Sequence, residues 1–413
     1  TPCQMPPSNP SQHGMKLVKV KLTILALLAA TASFAQIGWS RYRVDVPNES
    51  AARRLTDSPL QLFSEGVTLG STDVIVGPNQ LPLLRELGLP YTIVSRLRDP
   101  GSYNRDIEDG NPPDYKTNYL RYDEIIAQYE LWRKEFPAIV QRQQIGASRE
   151  GRPIWVYTLN YPTAGIEPKN ILIQAGIHAR EWIAPSVAMY LFDKVLHGGL
   201  NNAEGFYILG KFKMHFVPDI NPDGYEYTWT TDRFWRKNRR NNGSGSFGVD
   251  MNRNYSKGWG GEGSSGNPFS ETYRGPSPFS EPEIVATRDY MAGLRRLSGF
   301  IDYHSYGQLI LYPWAYTYDP APDDALLHAI GAAYQQGILN AGGVHYQNAQ
   351  TSTGLYLASG SSPDYYYDTY GAMAYTVELR DEGQFGFDLP PSQIMPTILE
   401  NWAGFKDWLS ALP

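Results

Sequence analysis

Hydrophobic and polar positions alternate in two different ways along this chain, and the change divides it. In residues 41–46, Tyr42, Val44 and Val46 alternate with Arg41, Arg43 and Asp45, the period of two that marks a half-buried strand. Residues 73–77 read as a second strand. Residues 78–88 carry Leu81, Leu84 and Leu87 at helical spacing and close on Gly88, and residues 91–95 return to extended structure. A small α+β unit over residues 36–97 is predicted. Residues 98–118 mix charge, proline and glycine without apolar periodicity and read as an exposed linker open to proteolysis.

From Tyr119 the units lengthen. Residues 122–136 place Ile125, Ile126, Tyr129 and Trp132 on one helical face. Short apolar runs at 153–160, 170–176, 211–221, 298–307 and 373–380 read as strands, and residues 184–198 and 281–297 between them as helices. This alternation predicts an α/β fold: one domain over 119–413 with a mixed, largely parallel sheet flanked by helices, and with sites where strands end in loops.

The first residues bear on location. Residues 15–35 hold three lysines, then an apolar run, then Ser33-Phe34-Ala35 as a small-x-small cleavage site, the pattern of a secretory signal peptide. The run is too short to span a bilayer, so no membrane association is expected. Residues 1–14 read as an unstructured segment upstream of it, and the protein is expected outside the cell. Its single cysteine, Cys3, precedes the signal, so the mature chain is expected to fold without disulfides.

With 413 residues, 42% of them hydrophobic, the chain can bury a large core. A net charge of -6 without runs of one sign gives no reason to expect a nucleic-acid partner, and a monomer is expected.

Candidate chemistry begins at AGIHAREW, where His178 and Glu181 follow an apolar strand. A His-x-x-Glu pair can offer zinc a nitrogen and an oxygen, but such pairs arise readily by chance and a third ligand is needed. Of the seven histidines, His215 reads as a core residue inside a strand, whereas His304 ends one, where α/β sheets place active residues. His178, Glu181 and His304 would form a catalytic zinc site with an open fourth position.

Glu378 sits in the otherwise apolar run 373–380. It is either one half of a buried salt bridge, with Arg380 or Arg236, or a base beside zinc-bound water. Arg253, between Asn252 and Asn254, suits a planar fork that grips a carboxylate at two points.

HAREW, NPDGY, RFWRKNR, GVDMNRN, SETYRG, HSYGQLILYPW and ELRD stand in the order and approximate spacing of the secreted zinc metallocarboxypeptidases of the pancreatic carboxypeptidase A/B type, which the chain resembles almost continuously over 119–413. Residues 36–97 look like that family's activation propeptide, removed by a protease acting at the linker. The resemblance implies zinc held by His178, Glu181 and His304, with Asp250 orienting a ligand histidine. It implies Glu378 as general base and Arg236 as the group that stabilises the oxyanion. Asn252, Arg253 and Tyr356 match the residues that bind the terminal carboxylate of a peptide, and Arg180 matches a contact further along it.

The side-chain pocket would be lined by Leu311, Ala315, Thr351, Ala358, Pro363 and Thr376. Members that release a C-terminal Lys or Arg carry aspartate at the position of Pro363, and Asp364 matches an aspartate shared more widely. Apolar or aromatic C-terminal residues are therefore expected. Thr351 and Pro363 depart from the branched apolar residues of type A enzymes, and Ser246 and Phe269 stand where animal members have a cysteine pair. The expected activity is hydrolysis of the C-terminal peptide bond by Glu-assisted attack of zinc-bound water. The alternative is an inactive carboxypeptidase-like peptide-binding protein.

Overall fold

The computed structural model describes residues 38–64, 66–77, 79–97, 112–160, 167–201, 210–294 and 296–413. The upstream segment 1–14, the signal 15–35 and most of the linker 98–118 lie outside these residues. The first described unit is a four-stranded antiparallel sheet of β1 (Ser40–Val46), β2 (Gln61–Leu62), β3 (Gly70–Val76) and β4 (Tyr91–Arg96), in the order β2-β3-β1-β4. The alternation read in β1 is what buries Tyr42, Val44 and Val46, and these pack with Leu55, Val74 and Leu84 in a core of their own. The helix Glu49–Thr56 was not legible as a periodic stripe because it buries only Ala51 and Leu55, one turn apart. Asn48 starts it by accepting the Ala51 amide hydrogen at 3.0 Å.

The second unit is built on an eight-stranded sheet. Its strands are β5 (Val140–Ala147), β6 (Pro153–Leu159), β7 (Lys169–Ala175), β8 (Phe212–Val217), β11 (Leu297–Ser305), β12 (Leu309–Tyr312), β13 (Gln347–Gln350) and β14 (Met373–Leu379), and a separate short hairpin supplies β9 (Asn241–Gly243) and β10 (Ser246–Phe247). Strand order is β13-β12-β14-β11-β7-β8-β6-β5. The centre, β14-β11-β7-β8, is parallel, while β12/β14, β8/β6 and β6/β5 are antiparallel, so the sheet is mixed as expected. Central strands such as β14 are buried along their whole length, the mark of a sheet covered on both faces.

The helix Ile183–Asn201 packs on β7 and β11, and Ile394–Ala411 packs against both it and Asp324–Asn340. The helix expected over 281–297 runs only from Pro282 to Ala292, because the chain turns at Gly293 to enter β11. The run expected as a strand over 211–221 ends at Val217, and NPDGY instead opens the helix Pro222–Thr230. There Asn221 accepts the Gly224 amide hydrogen and Pro222 occupies the first turn. In place of a disulfide, Ser246 Oγ donates to Pro268 O at 2.5 Å and the buried Lys237 ammonium donates to Ser270 O at 2.8 Å, tying the loop 268–270 to the chain beside it.

Candidate active site

β7 and β11 are parallel neighbours, but the chain crosses from β7 to β8 on the other side, and a crevice opens where the strand order reverses. At the end of β7, Gly176 adopts φ 75°, and a Cβ there would stand 2.6 Å from Asp219 Oδ1. Only glycine allows this turn, which swings residues 178–182 across the ends of the strands. His178 and Glu181 then meet His304 of β11. His178 Nδ1 lies 2.8 Å from Glu181 Oε1 and 3.1 Å from His304 Nδ1, and His304 Nδ1 lies 3.2 Å from Glu181 Oε2.

Two imidazole nitrogens and a carboxylate, all within 4.8 Å of one another and all buried, form the donor set that zinc takes in catalytic sites. The outer contacts agree. His178 Nε2 faces Asp250 Oδ1 at 3.2 Å, which holds a proton on that nitrogen and leaves the Nδ1 lone pair for the metal. His304 Nε2 faces Asp302 Oδ2 at 3.4 Å in the same sense. Burial pushes the Glu181 carboxyl up, but the imidazoles of His178 and His304 outweigh it and hold the group well below its usual range.

Asp250 is the second hub. Its Oδ2 accepts from Arg236 Nη2 at 3.0 Å and lies 3.9 Å from Arg253 Nη1. Burial alone would raise its carboxyl; Arg236, then Arg253 and His178, keep it ionised far below the ordinary value. Its Oδ1 also accepts the Asn252 amide hydrogen, so one carboxylate orients a ligand histidine, one arginine and the turn bearing Asn252 and Arg253. Arg253 is further fixed by donating to Gly263 O at 2.8 Å and Asn252 O at 3.0 Å.

Glu378 pairs with His304 across β14 and β11, which brings its carboxylate to the metal-ligand cluster. Of the two arginines considered as salt-bridge partners, Arg380 is committed to Glu400 at 2.6 Å and Arg236 binds Asp250.

Glu378, His178, His304, Asn252, Arg253 and Tyr356 all line one cavity, and the expected pocket residues Leu311, Ala315, Thr351, Ala358, Pro363 and Thr376 line it with them. Leu355 and Ser361 also line it and were not anticipated, because a leucine and a serine in a small-residue loop carry no distinguishing signal. Arg180 and Arg236 do not border this cavity; the Arg180 guanidinium lies 4.0 Å over the Phe387 ring, with Nη1 3.7 Å from Glu271. His215 is a core residue, bridging Asn170 and Tyr290 as expected.

The N-terminal unit docks beside this opening. Tyr306 Oη donates to Phe63 O at 2.6 Å, Arg41 Nη1 donates to Gly383 O at 2.7 Å, and Gln61 Nε2 donates to Asp232 Oδ2 at 2.6 Å. Phe63 and Ile75 join Phe234 and Phe387 in an apolar cluster, and Gly66 lies against the Tyr356 ring. A cavity with Arg253 and Tyr356 on one side and Glu49, Arg53 and Val67 on the other runs between the two units.

This geometry has the donor set of a catalytic zinc site, and comparison with known proteins gives it a family. The zinc carboxypeptidase family model matches residues 125–404. Carboxypeptidase A4 of Mus musculus is 36% identical over 385 residues, covering 88% of this chain and 91% of its own. Carboxypeptidase B of Astacus astacus is 38% identical over 297 residues, covering 70% and 95%. Among solved structures, thrombin activatable fibrinolysis inhibitor superposes with a TM-score of 0.80 at 28% identity, over 91% of this chain and 99% of that one. Carboxypeptidase A of Helicoverpa armigera superposes with 0.75 at 27% identity, over 91% and 97%. The chain belongs to the zinc carboxypeptidase family and is a metallocarboxypeptidase.

Proposed function

We propose that this protein is a secreted, monomeric zymogen of an exopeptidase that hydrolyses the C-terminal peptide bond and prefers apolar or aromatic C-terminal residues. The observation that supports the reading is that His178 and His304 of the metal-ligand cluster line one cavity with Glu378 and Arg253. Zinc held by His178, Glu181 and His304 would supply Lewis acidity, polarising the scissile carbonyl and making water a better nucleophile. Glu378 takes the proton of the attacking water and passes it to the leaving amine. Arg236, its plane set by Asp250, offsets the charge that grows on the carbonyl oxygen.

Asn252 and Arg253 grip the terminal carboxylate and Tyr356 closes beside it, which fixes the bond presented to the metal. Asp250 keeps His178 in its ligating tautomer, and Arg180, packed over Phe387 outside the cavity lining, is assigned to the peptide further from its end. The inactive peptide-binding alternative would be expected to have lost part of this set, and no member is missing.

Preference follows from the pocket wall. Leu311, Ala315, Ala358 and Pro363 are apolar, and Thr351 Oγ1 is used by donating to Tyr312 O at 3.0 Å. Asp364 is turned away, accepting the amide hydrogens of Ala315 and Tyr316 at 2.9 to 3.1 Å, and burial raises its carboxyl to about 7. Among these wall residues no carboxylate stands ready for the ammonium of a C-terminal Lys, and Glu378 is committed to the metal-ligand cluster on this reading, so apolar side chains bind better. Pro363→Asp is therefore expected to raise kcat/KM for C-terminal Lys or Arg relative to Phe by about 10-fold or more. An unchanged order of preference in a peptide series would show that Pro363 is not at the tip of the bound side chain.

Contacts of Phe63, Arg41 and Gln61 beside the cavity support residues 36–97 as an inhibitory propeptide, and the linker 98–118 as the place where a protease releases the catalytic domain 119–413. The test is to cleave the linker and incubate the product with peptides that differ only in the last residue, with and without a chelator. Release of single C-terminal apolar residues, abolished by the chelator and much slower before cleavage, is expected. Equal rates before and after cleavage would remove the zymogen reading, and zinc binding without turnover would favour the inactive alternative.

A further inference from the structure

Ser361 is built unlike the rest of the pocket wall. It is 4% exposed and lines the cavity, yet its Oγ has no hydrogen-bond partner among the described residues. It occupies the position just before the helix Ser362–Tyr370, where a serine hydroxyl ordinarily caps the first turn, but this hydroxyl makes no capping bond. Asp364, three residues on, is close enough for the hydroxyl to favour its ionised form, but Ser361 Oγ is not placed in hydrogen-bond geometry with either carboxylate oxygen, both of which face the amide hydrogens of Ala315 and Tyr316.

The backbone on either side is clamped to the carboxylate-binding turn: Gly360 O accepts from Tyr255 N at 3.0 Å, and Ser362 N donates to Asn252 Oδ1 at 2.8 Å. The hydroxyl is thus held at a fixed place relative to Asn252 and Arg253. A buried hydroxyl without a partner is destabilising, and a ligand group that reaches it relieves the deficit.

We infer that Ser361 is a specificity-determining residue whose hydroxyl hydrogen-bonds a polar atom on the C-terminal side chain, so that tyrosine is preferred over phenylalanine. The inference rests on the exopeptidase reading above. Tyrosine and phenylalanine present the same ring to the apolar wall, and the phenol can both donate to and accept from Ser361 Oγ. A site that hydrogen-bonds a substrate hydroxyl discriminates against the analogue that lacks it.

The test measures kcat/KM for two peptides that differ only in a final Tyr or Phe, with the cleaved enzyme and its Ser361→Ala and Ser361→Thr variants. A Tyr/Phe ratio of about 10 is expected for the native enzyme, falling to about 1 in Ser361→Ala and restored in part by Ser361→Thr, which keeps a hydroxyl. The native ratio is read without any variant, so a variant that fails to fold does not silence the test. A native ratio near 1, or a ratio unchanged by Ser361→Ala while Phe is still released, overturns this inference alone. Release of neither residue overturns the exopeptidase reading, and this inference falls with it.

Discussion

Glu378→Gln is expected to lower kcat by about 10³ to 10⁴-fold while zinc content and KM for a C-terminal Phe peptide stay near their native values. Glutamine has almost the same shape, so the wall that Glu378 forms beside His304 is kept and no cavity opens. The amide cannot accept the proton of the attacking water, nor deliver it to the leaving amine. The effect should therefore fall on the chemical step. Metal analysis and steady-state kinetics on the cleaved protein decide the point: near-native turnover would take Glu378 out of the mechanism, and lost zinc would make its role structural. The surrounding geometry favours the first outcome, because the Nδ1 atoms and the Glu181 oxygens of the metal cluster meet without Glu378.

Arg253→Ala is the second large effect, and its signature is selectivity rather than rate alone. The Arg253 side chain is only 2% exposed and is held by Gly263 O and Asn252 O, so the guanidinium stays in place whether or not a ligand is bound. A free-acid peptide supplies a second carboxylate, whereas an amidated peptide leaves the buried guanidinium with only Asp250, shared with Arg236 and 3.9 Å away, at a cost of about 2–5 kcal/mol. The native enzyme is thus expected to favour the free acid by about 10² or more. Alanine should abolish most of that preference, mainly by slowing the free acid. Rates on paired free-acid and amidated peptides test it, and a preference that survives the substitution would assign carboxylate recognition elsewhere.

Legibility varied with the kind of signal. β1 was readable because one of its faces is wet, and β7 and β14 because continuous apolar runs flanked by turn residues stand out. β5, β12 and β13 passed unnoticed: they are edge or near-edge strands, and β5 is exposed over most of its length, so no apolar run marks it. The helix Ile394–Ala411 likewise carries no clear sequence signal, its apolar residues being spread too widely for a clean stripe.

The site divides in the same way. His178 and Glu181 were visible as a spacing, and His304 and Glu378 as ionisable residues within or at the end of apolar strands. Asp364 illustrates the limit: its sequence places a carboxylate beside the pocket, and only the structure shows both oxygens turned to the Ala315 and Tyr316 amides. Ser361 lies beyond that limit, since nothing in SGSSPD separates one serine from the next.

What the sequence determined by itself was a set of residue types and local conformations: candidate metal-binding side chains at strand ends and two stretches with different periodicities. What only the tertiary structure decided was convergence. His178, Asp250, His304 and Glu378 are far apart along the chain, and parallel strand pairing and buried charge networks set their distances. Pairing register and burial are properties of the folded sheet and have no counterpart in local spacing.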